Sequence, residues 1–213
     1  MLSQFPIFDV IPTTQINILD DLQLLKCSFN EGNKRIYIFK NQLNQYEVGL
    51  NKEQYQGQFK QQFANCISNI DLQNDTKYIF RLKLQSYQST YYQIGLMQNK
   101  NLHTQEGNKD YFYVEFKTEN DKFLLSSCFY LKKYLKGKDN QLTTENQIEF
   151  RIWLNGGIFE VVDYPQQNFK IGLENEKLEK LKSISNLKFF LQLCDSNRKY
   201  VITDALIVEK FND

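Results

Sequence analysis

Alternation of apolar and polar residues is the feature that most limits what this chain can form. The segment KYIFRLKLQ, at 77–85, places one tyrosine, one phenylalanine and two leucines at every second position, and most of the positions between them are lysine or arginine. Successive side chains of a β-strand point to opposite faces, so this spacing collects the apolar residues on one face. The segment therefore predicts a strand that is buried on one side and solvated on the other.

Similar runs recur along the chain, separated by short polar connections, and predict about nine or ten strands. The predicted hairpins are 35–39 with 46–50, 77–85 with 91–97, 111–117 with 123–131, 148–154 with 158–162, and 187–195 with 200–211. Strands that follow one another as hairpins disfavour βαβ units and a parallel sheet. The pattern predicts an all-β fold, an antiparallel two-sheet β-sandwich of the jelly-roll or concanavalin-like type.

Two segments break the alternation and predict short helices. Residues 52–66 and 174–186 carry apolar residues at helical spacing, with polar residues between them. We expect both to pack against sheet edges. The chain has only three prolines and no Ser/Gly-rich linker, so we expect a single domain over 1–213, with an N-terminal extension or edge strand at 1–30.

The overall charge makes several partners improbable. The 213 residues are 41% hydrophobic and carry a net charge of +1, which gives no general attraction to nucleic acid or anionic membrane. The basic run KKYLKGK, at 132–138, is predicted to be a solvated loop between strands. No apolar run reaches the ~20 residues that a membrane helix needs, so we expect no membrane insertion. The N-terminal residues MLSQFPIFDVIP lack a secretory pattern, and the expected location is the cytoplasm or a compartment continuous with it.

The cysteine and histidine residues do not suggest a metal site or a catalytic nucleophile. Cys27, Cys66, Cys128 and Cys194 are far apart, with no CxxC pair, and His103 is the only histidine. Zinc sites usually need paired ligands close in sequence, so we expect buried free thiols, no metal and no cofactor. Any nucleophile–histidine arrangement would have to use His103, which lies in a polar loop. No catalytic residue is predicted.

A pair of carboxylates offers a different chemistry, that of glycoside hydrolysis. The acidic residues in or beside predicted strands are Glu115, Glu149, Glu160 and Asp163. Alternation places Glu149, Arg151 and Trp153 on one face of a strand. Pairing of these charges across strands is the ordinary explanation for them, so a hydrolase is a less favoured alternative.

The segment IEFRIWLNGGIFEVVDYP, at 148–165, contains the only tryptophan and an Asn-Gly-Gly sequence. Asn155 and Gly156 favour a type I′ hairpin turn, and Gly157 permits a bulge or a three-residue loop. No phosphate-binding motif is present. The three turn residues are therefore predicted to serve backbone geometry, and Gly156→Val is predicted to impair folding.

The chain resembles SPRY domains over roughly 35–211. A strand, an Asn-Gly turn and a second strand leading to a proline are matched by Phe150, Asn155, Gly156 and Pro165. An earlier aromatic-x-x-Gly strand is similar to YYQIGLM, with Tyr92 in the aromatic place. The final strands, FFLQLCD and ITDALIVEKF, occupy the place of the closing pair. The resemblance implies a concanavalin-like sandwich and protein–protein contact through loops at one end.

The preferred function is therefore a non-enzymatic interaction or assembly module, a structural subunit of a larger complex. Aromatic residues in loops are the candidate contacts, because tyrosine offers a rigid ring and a hydroxyl. They are Tyr55, Tyr87, Tyr91, Tyr134 and Tyr164, with Trp153 as either a core residue or an exposed anchor. Alternatives are a lectin-like carbohydrate-binding sandwich and, less favoured, a glycoside hydrolase on the same scaffold.

Overall fold

The computed structural model describes residues 14–26, 36–51, 64–86, 91–98, 111–119, 122–129, 131–136, 141–143, 147–168, 170–173, 175–193 and 198–212. These residues form sixteen strands and one helix. The strands are β1 (Gln15–Asn17), β2 (Leu24–Lys26), β3 (Ile36–Lys40), β4 (Tyr46–Leu50), β5 (Ala64–Ser68), β6 (Lys77–Ser86), β7 (Tyr91–Gln98), β8 (Tyr111–Glu119), β9 (Lys122–Phe129), β10 (Leu131–Lys136), β11 (Gln141–Thr143), β12 (Gln147–Trp153), β13 (Ile158–Tyr164), β14 (Lys170–Leu173), β15 (Leu187–Leu193) and β16 (Arg198–Val208). The helix, α1, spans Asn175–Lys182.

The strands form two antiparallel sheets. Sheet A has nine strands in the order β10-β14-β13-β12-β6-β16-β4-β3, with β1 also paired to β16. Sheet B has seven strands in the order β11-β9-β8-β7-β15-β5-β2. The predicted all-β antiparallel sandwich is confirmed.

The core lies between the two sheets and is built from the alternate residues that each strand turns inward. Phe80 and Phe150 of sheet A meet Phe189 of sheet B, with ring centroids 4.3 Å and 5.7 Å from that of Phe189. Tyr200 of β16 crosses the same layer, and its hydroxyl donates to the carbonyl of Gln192 at 2.6 Å. The buried polar tip is thus satisfied by sheet B, as a buried tyrosine requires.

Three predicted hairpins form, and two do not. β3 pairs with β4, β8 with β9, and β12 with β13. However, β6 lies in sheet A and β7 in sheet B, so the predicted pairing of 77–85 with 91–97 is wrong. The pairing of 187–195 with 200–211 is wrong for the same reason, because β15 lies in sheet B and β16 in sheet A. Alternation specifies which face of a strand is buried, but that face can be buried equally well from the opposite sheet.

The predicted helices and the predicted basic loop can also be compared with the structure. The helix within 174–186 is confirmed as α1, and Leu181 is buried in the core. Of the helix predicted at 52–66, residues 52–63 lie outside the described residues, and 64–66 instead begin β5. The basic run at 132–138 was predicted to be a loop, but most of it forms β10, paired with β14 at the edge of sheet A. This correction and the short strands raise the count above the predicted nine or ten.

The cysteines and the histidine fall mostly outside the described side chains. Cys66 is a buried free thiol in β5, as predicted. Cys27, Cys194 and His103 lie outside the described residues, and only the backbone of Cys128 is described. Within the described part of the chain, no helix is long and apolar enough to cross a membrane.

Candidate functional site

Sheet A has an inner face, which packs on sheet B, and an outer face formed by the intervening residues. On β12, Phe150 points into the core, so Glu149, Arg151 and Trp153 lie on the outer face, as the alternation predicts. By register, Arg81 of β6 lies directly beside Glu149 on the same face. This outer face therefore holds the three residues of β12 that the sequence singled out, together with Arg81.

An arginine–glutamate cluster, formed by Arg81, Glu149 and Arg151, occupies the middle of the outer face. The Nε of Arg81 donates to Oε2 of Glu149 at 2.7 Å, and the Nε of Arg151 donates to Oε1 at 2.7 Å. Glu149 is 2% exposed and Arg151 is 1% exposed. Two arginines thus hold one buried carboxylate. The predicted pairing of charges across strands is confirmed for Glu149 with Arg81, whereas Arg151 pairs with Glu149 along the same strand.

Neighbouring side chains balance the second positive charge of the cluster. The carboxylate of Asp204 lies 3.8 Å from Nη1 of Arg81, and the hydroxyl of Thr203 donates to Asp204 at 3.0 Å. The guanidinium of Arg81 also lies 3.9 Å from the ring centre of Tyr164, a cation–π contact. Arg81 is therefore held on three sides.

The segment that follows β16 covers the other arginine. Nη2 of Arg151 donates to the carbonyl of Asn212 at 2.6 Å. The ring of Phe211 packs against a small outer-face apolar cluster formed by Ile79, Leu206 and Val208. A charge that is almost wholly buried is therefore satisfied by both a carboxylate and a backbone carbonyl, as a buried guanidinium requires.

The carboxylates considered for hydrolysis have different surroundings. Both oxygens of Glu149 accept hydrogen bonds from arginines, while Glu160 lies 3.7 Å from the ammonium of Lys170. Asp163 is buried, and only the backbone of Glu115 is described. The described residues contain no group of three side chains that could hold a metal ion.

Trp153 lies half-buried at the end of β12, with the ammonium of Lys77 4.5 Å from its ring centre. It is neither fully buried nor fully exposed, because one part of its ring lies against its own hairpin turn. Its role as an anchor for a partner stays a prediction. A Cβ added to Gly156 would lie 2.0 Å from Cε3 of this ring. Gly156 is therefore required for the close approach of Trp153.

The Asn-Gly-Gly turn has a different geometry from the predicted type I′ turn. Leu154–Gly157 form a four-residue turn in which the amide of Gly157 donates to the carbonyl of Leu154 at 3.0 Å. Only Gly157 in this turn has a positive φ, of 65°. Asn155 instead joins the turn to the segment before β6. Its backbone N–H donates to the carbonyl of Asn74 at 2.9 Å, and its side-chain amide donates to the carboxylate of Asp75. The structural role predicted for the turn residues agrees with these contacts, but the type I′ conformation is wrong.

A second feature of the outer face lies at its β3 edge, and we call it the Tyr37 platform. It comprises Tyr37 and Phe39 of β3, Glu47 and Gly49 of β4, and Lys199 of β16. A Cβ added to Gly49 would lie 2.3 Å from Oη of Tyr37, so the ring lies flat across the backbone of β4. Phe39 is 46% exposed, and its ring centre is 5.8 Å from that of Tyr37.

The polar groups of the platform are connected to one another. The Tyr37 hydroxyl donates to Oε1 of Glu47 at 3.3 Å, and the Lys199 ammonium donates to the same oxygen at 2.8 Å. Burial raises the pKa of Tyr37, and the carboxylate of Glu47 adds to this effect while Lys199 opposes it. The hydroxyl is therefore protonated at neutral pH and acts as a donor to Glu47.

Most of the aromatic side chains predicted as loop contacts lie outside the described part of the structure. Tyr55 and Tyr87 lie outside the described residues. Tyr91 is the first residue of β7, and Tyr134 lies within β10. Only the backbones of these two residues are described. Tyr164 ends β13, half-buried against Arg81. The prediction that the last three are loop residues is wrong, and their role in binding stays a prediction.

Sequence reasoning missed the Tyr37 platform. The signal available was the predicted hairpin of 35–39 with 46–50, whose register decides which residue of β4 lies opposite Tyr37. The side chain of Asn41 sets this register by accepting the amides of Leu43 at 2.9 Å and Gln45 at 3.1 Å. Nothing in the local sequence indicated that Lys199 would join the pair.

Comparison with known proteins gives the fold. No protein-family model and no curated protein matches the sequence. Among solved structures, a β-glucanase from Bacillus licheniformis is 7% identical, with 93% of this chain and 98% of that chain covered and a TM-score of 0.52. Lectin I-B4 from Griffonia simplicifolia is 9% identical, with 91% and 98% covered and a TM-score of 0.50. A Bacillus subtilis protein with a galectin-like fold is 6% identical, with 90% of both chains covered and a TM-score of 0.50. The chain has the concanavalin-like and galectin-like β-sandwich fold.

Proposed function

We propose that this protein is a non-catalytic carbohydrate-binding module that uses the outer face of sheet A. The observation that carries the proposal is the character of this face, where partly exposed aromatic rings stand beside charges that are already paired. Ligand sites typically combine aromatic surface with a few fixed polar groups. A sugar presents the matching surfaces, with C–H groups on its ring faces and hydroxyls around its edge.

The shared fold supports the proposal, but it is not sufficient to establish a function. Two of the similar structures are named as a lectin and a β-glucanase, so this scaffold is used by proteins that recognise carbohydrates. One fold hosts many functions, however, and a function must be argued from the site. The outer face supplies that argument.

The arrangement of the carboxylates favours binding without cleavage. A retaining glycosidase needs two carboxyl groups about 5–5.5 Å apart, one to donate a proton and one to attack the sugar. Glu149, the most central carboxylate of the face, has both oxygens engaged by arginines. It therefore stabilises the sheet and is unsuited to nucleophilic attack.

The narrower SPRY assignment, a protein partner within a larger assembly, and a cytoplasmic location remain predictions. The aromatic residues expected to make the protein contact are either undescribed or lie in strands rather than loops. Carbohydrate binding therefore replaces protein contact as the preferred function.

A glycan array followed by calorimetry tests the proposal directly. The full chain is expected to bind at least one glycan class, and incubation with that glycan is expected to release no new reducing ends. Failure to bind any glycan at millimolar concentration would overturn the proposal. New reducing ends that appear only with the protein would contradict its non-catalytic part.

A further inference from the structure

We infer that the Tyr37 platform is the subsite that holds the sugar, and that its ligand is a neutral oligosaccharide of at least two pyranose units. This inference rests on the proposed function and goes beyond it by naming the site and the ligand class. Tyr37 and Phe39 supply the stacking surface, and Glu47 and Lys199 supply the hydrogen bonds.

The flat placement of Tyr37 is the first step. Any side chain at Gly49 would displace the ring, because a Cβ there would lie 2.4 Å from Cζ of Tyr37. With one face of the ring against the backbone of β4, its other face is directed away from the sheet. An aromatic ring lying flat on a sheet offers the planar surface on which the C–H face of a pyranose packs.

Phe39 extends this surface along the same strand. Residues two apart on a strand share a face, and the two rings are inclined by only 26°. Their 5.8 Å separation is close to the length of one pyranose unit in an extended chain. The pair therefore suits two consecutive sugars better than one.

The paired charges indicate a neutral ligand. Glu47 and Lys199 are the polar groups at the edge of the rings, and they are hydrogen-bonded to each other. Because the ammonium and the carboxylate lie 2.8 Å apart, their charges largely cancel for any third group. The platform thus provides hydrogen bonds without a net charge that would favour an ionised sugar.

The other described rings of the outer face are less suitable. Trp153 has the ammonium of Lys77 over its ring, and Tyr164 has the guanidinium of Arg81 over its ring. Each of these rings is thus already in contact with a cation of its own sheet. The Tyr37–Phe39 pair combines the most exposed outer-face ring with hydrogen-bonding groups at its edge.

Calorimetry with defined sugars tests the inference. The probes are neutral tetrasaccharides of glucose, galactose or mannose, and a uronic acid tetrasaccharide as the charged contrast. Tyr37→Ala and Phe39→Ser are each expected to weaken binding of the neutral tetrasaccharide at least tenfold. Tyr37→Phe keeps the ring and is expected to stay within about threefold of the unmodified protein.

Leu43→Ser is the matched control, because Leu43 is an exposed apolar residue, 75% exposed, in the turn of the same hairpin. It is expected to leave binding unchanged, and melting curves confirm that each variant folds. Wild-type affinity in both Tyr37→Ala and Phe39→Ser would overturn the platform while leaving carbohydrate binding intact. Preference for the uronic acid probe would overturn the assignment of a neutral ligand. Absence of binding to every glycan would instead refute the proposed function itself.

Discussion

Replacing Glu149 by glutamine tests whether the arginine–glutamate cluster holds the centre of sheet A together. The amide keeps the shape of the side chain but removes its charge, and it has one acceptor oxygen in place of two. One arginine Nε then faces an NH₂ group, and two guanidinium groups share a site without the carboxylate that compensated them. Arg151, at 1% exposure, cannot recover its hydration by a small movement.

The burial of the cluster determines the size of the effect. Breaking a buried ion pair by removing one partner costs about 3–5 kcal/mol, because an uncompensated charge stays behind. A typical domain is stable by only about 5–15 kcal/mol, so Glu149→Gln removes a large part of the free energy of unfolding. For a chain of this length each kcal/mol corresponds to roughly 2–4 °C, which gives a fall in melting temperature of about 6–20 °C.

Urea unfolding followed by circular dichroism at pH 7 measures this loss, and α1 provides the control. Glu179 forms an ion pair with Lys182 at 2.9 Å, but on the exposed surface. Glu179→Gln is expected to cost less than about 0.5 kcal/mol. Equal effects of Glu149→Gln and Glu179→Gln would refute the reasoning, since burial would then not determine the energy of the pair.

Removing both charges together is a second test of the same reasoning. The double variant Glu149→Met, Arg151→Leu removes the most deeply buried guanidinium together with the carboxylate. Arg81 also loses Glu149, but it is 14% exposed and keeps Asp204 at 3.8 Å. Hydrophobic replacement of a whole buried pair is often neutral. The double variant is therefore expected to be more stable than Glu149→Gln. A double variant whose loss of stability equals the sum of the losses of the two single variants would contradict this.

Two further predictions concern the turns. Gly156→Val is expected to destabilise the protein by about 1–3 kcal/mol in urea unfolding, because its Cβ would overlap the ring of Trp153. The fluorescence emission of this single tryptophan is expected to shift as well. Unchanged emission and stability would show that the ring does not pack on the turn. Hydrogen bonds from Asn44 and then Lys40 lower the pKa of Asp20 below its usual 3.8, so its stabilising effect is present above that pH and is lost as the pH falls through the lowered value. Asp20→Asn is therefore expected to lower the melting temperature more at pH 7 than at pH 3, and equal losses at both would contradict the linkage.

The fold class could be predicted because alternation is a local property of the sequence. In KYIFRLKLQ the four inward residues of β6 were identified correctly from spacing alone. The partners of β6 could not be identified in this way, because β12 and β16 lie about 70 and 120 residues further along the chain. The short strand β11 also escaped, since three residues are too few to show a period.

The candidate site likewise has one part that local spacing predicts and another part that depends on which strands pair. Glu149 and Arg151 could be placed on one face from their spacing, and pairing of charges was the correct explanation. The coverage of Arg151 by Asn212 could not be foreseen, because it depends on how the segment after β16 folds back over the sheet. The same holds for Asp204, which reaches Arg81 only through the pairing of β6 with β16.

The Tyr37 platform shows where the limit of local information lies. A slip of one residue in the β3–β4 register would place Tyr37 opposite Val48 or Leu50 instead of Gly49, and the ring could no longer lie flat. The turn fixes this register through the side chain of Asn41 and the left-handed conformation of Asn44, whose φ is 59°. The stacking surface is therefore encoded within one hairpin, whereas its ammonium comes from Lys199, on a strand that only the complete sheet brings alongside. The two rings of the platform thus come from one hairpin, whereas the ion pair of Glu47 with Lys199 forms only when β16 pairs with β4.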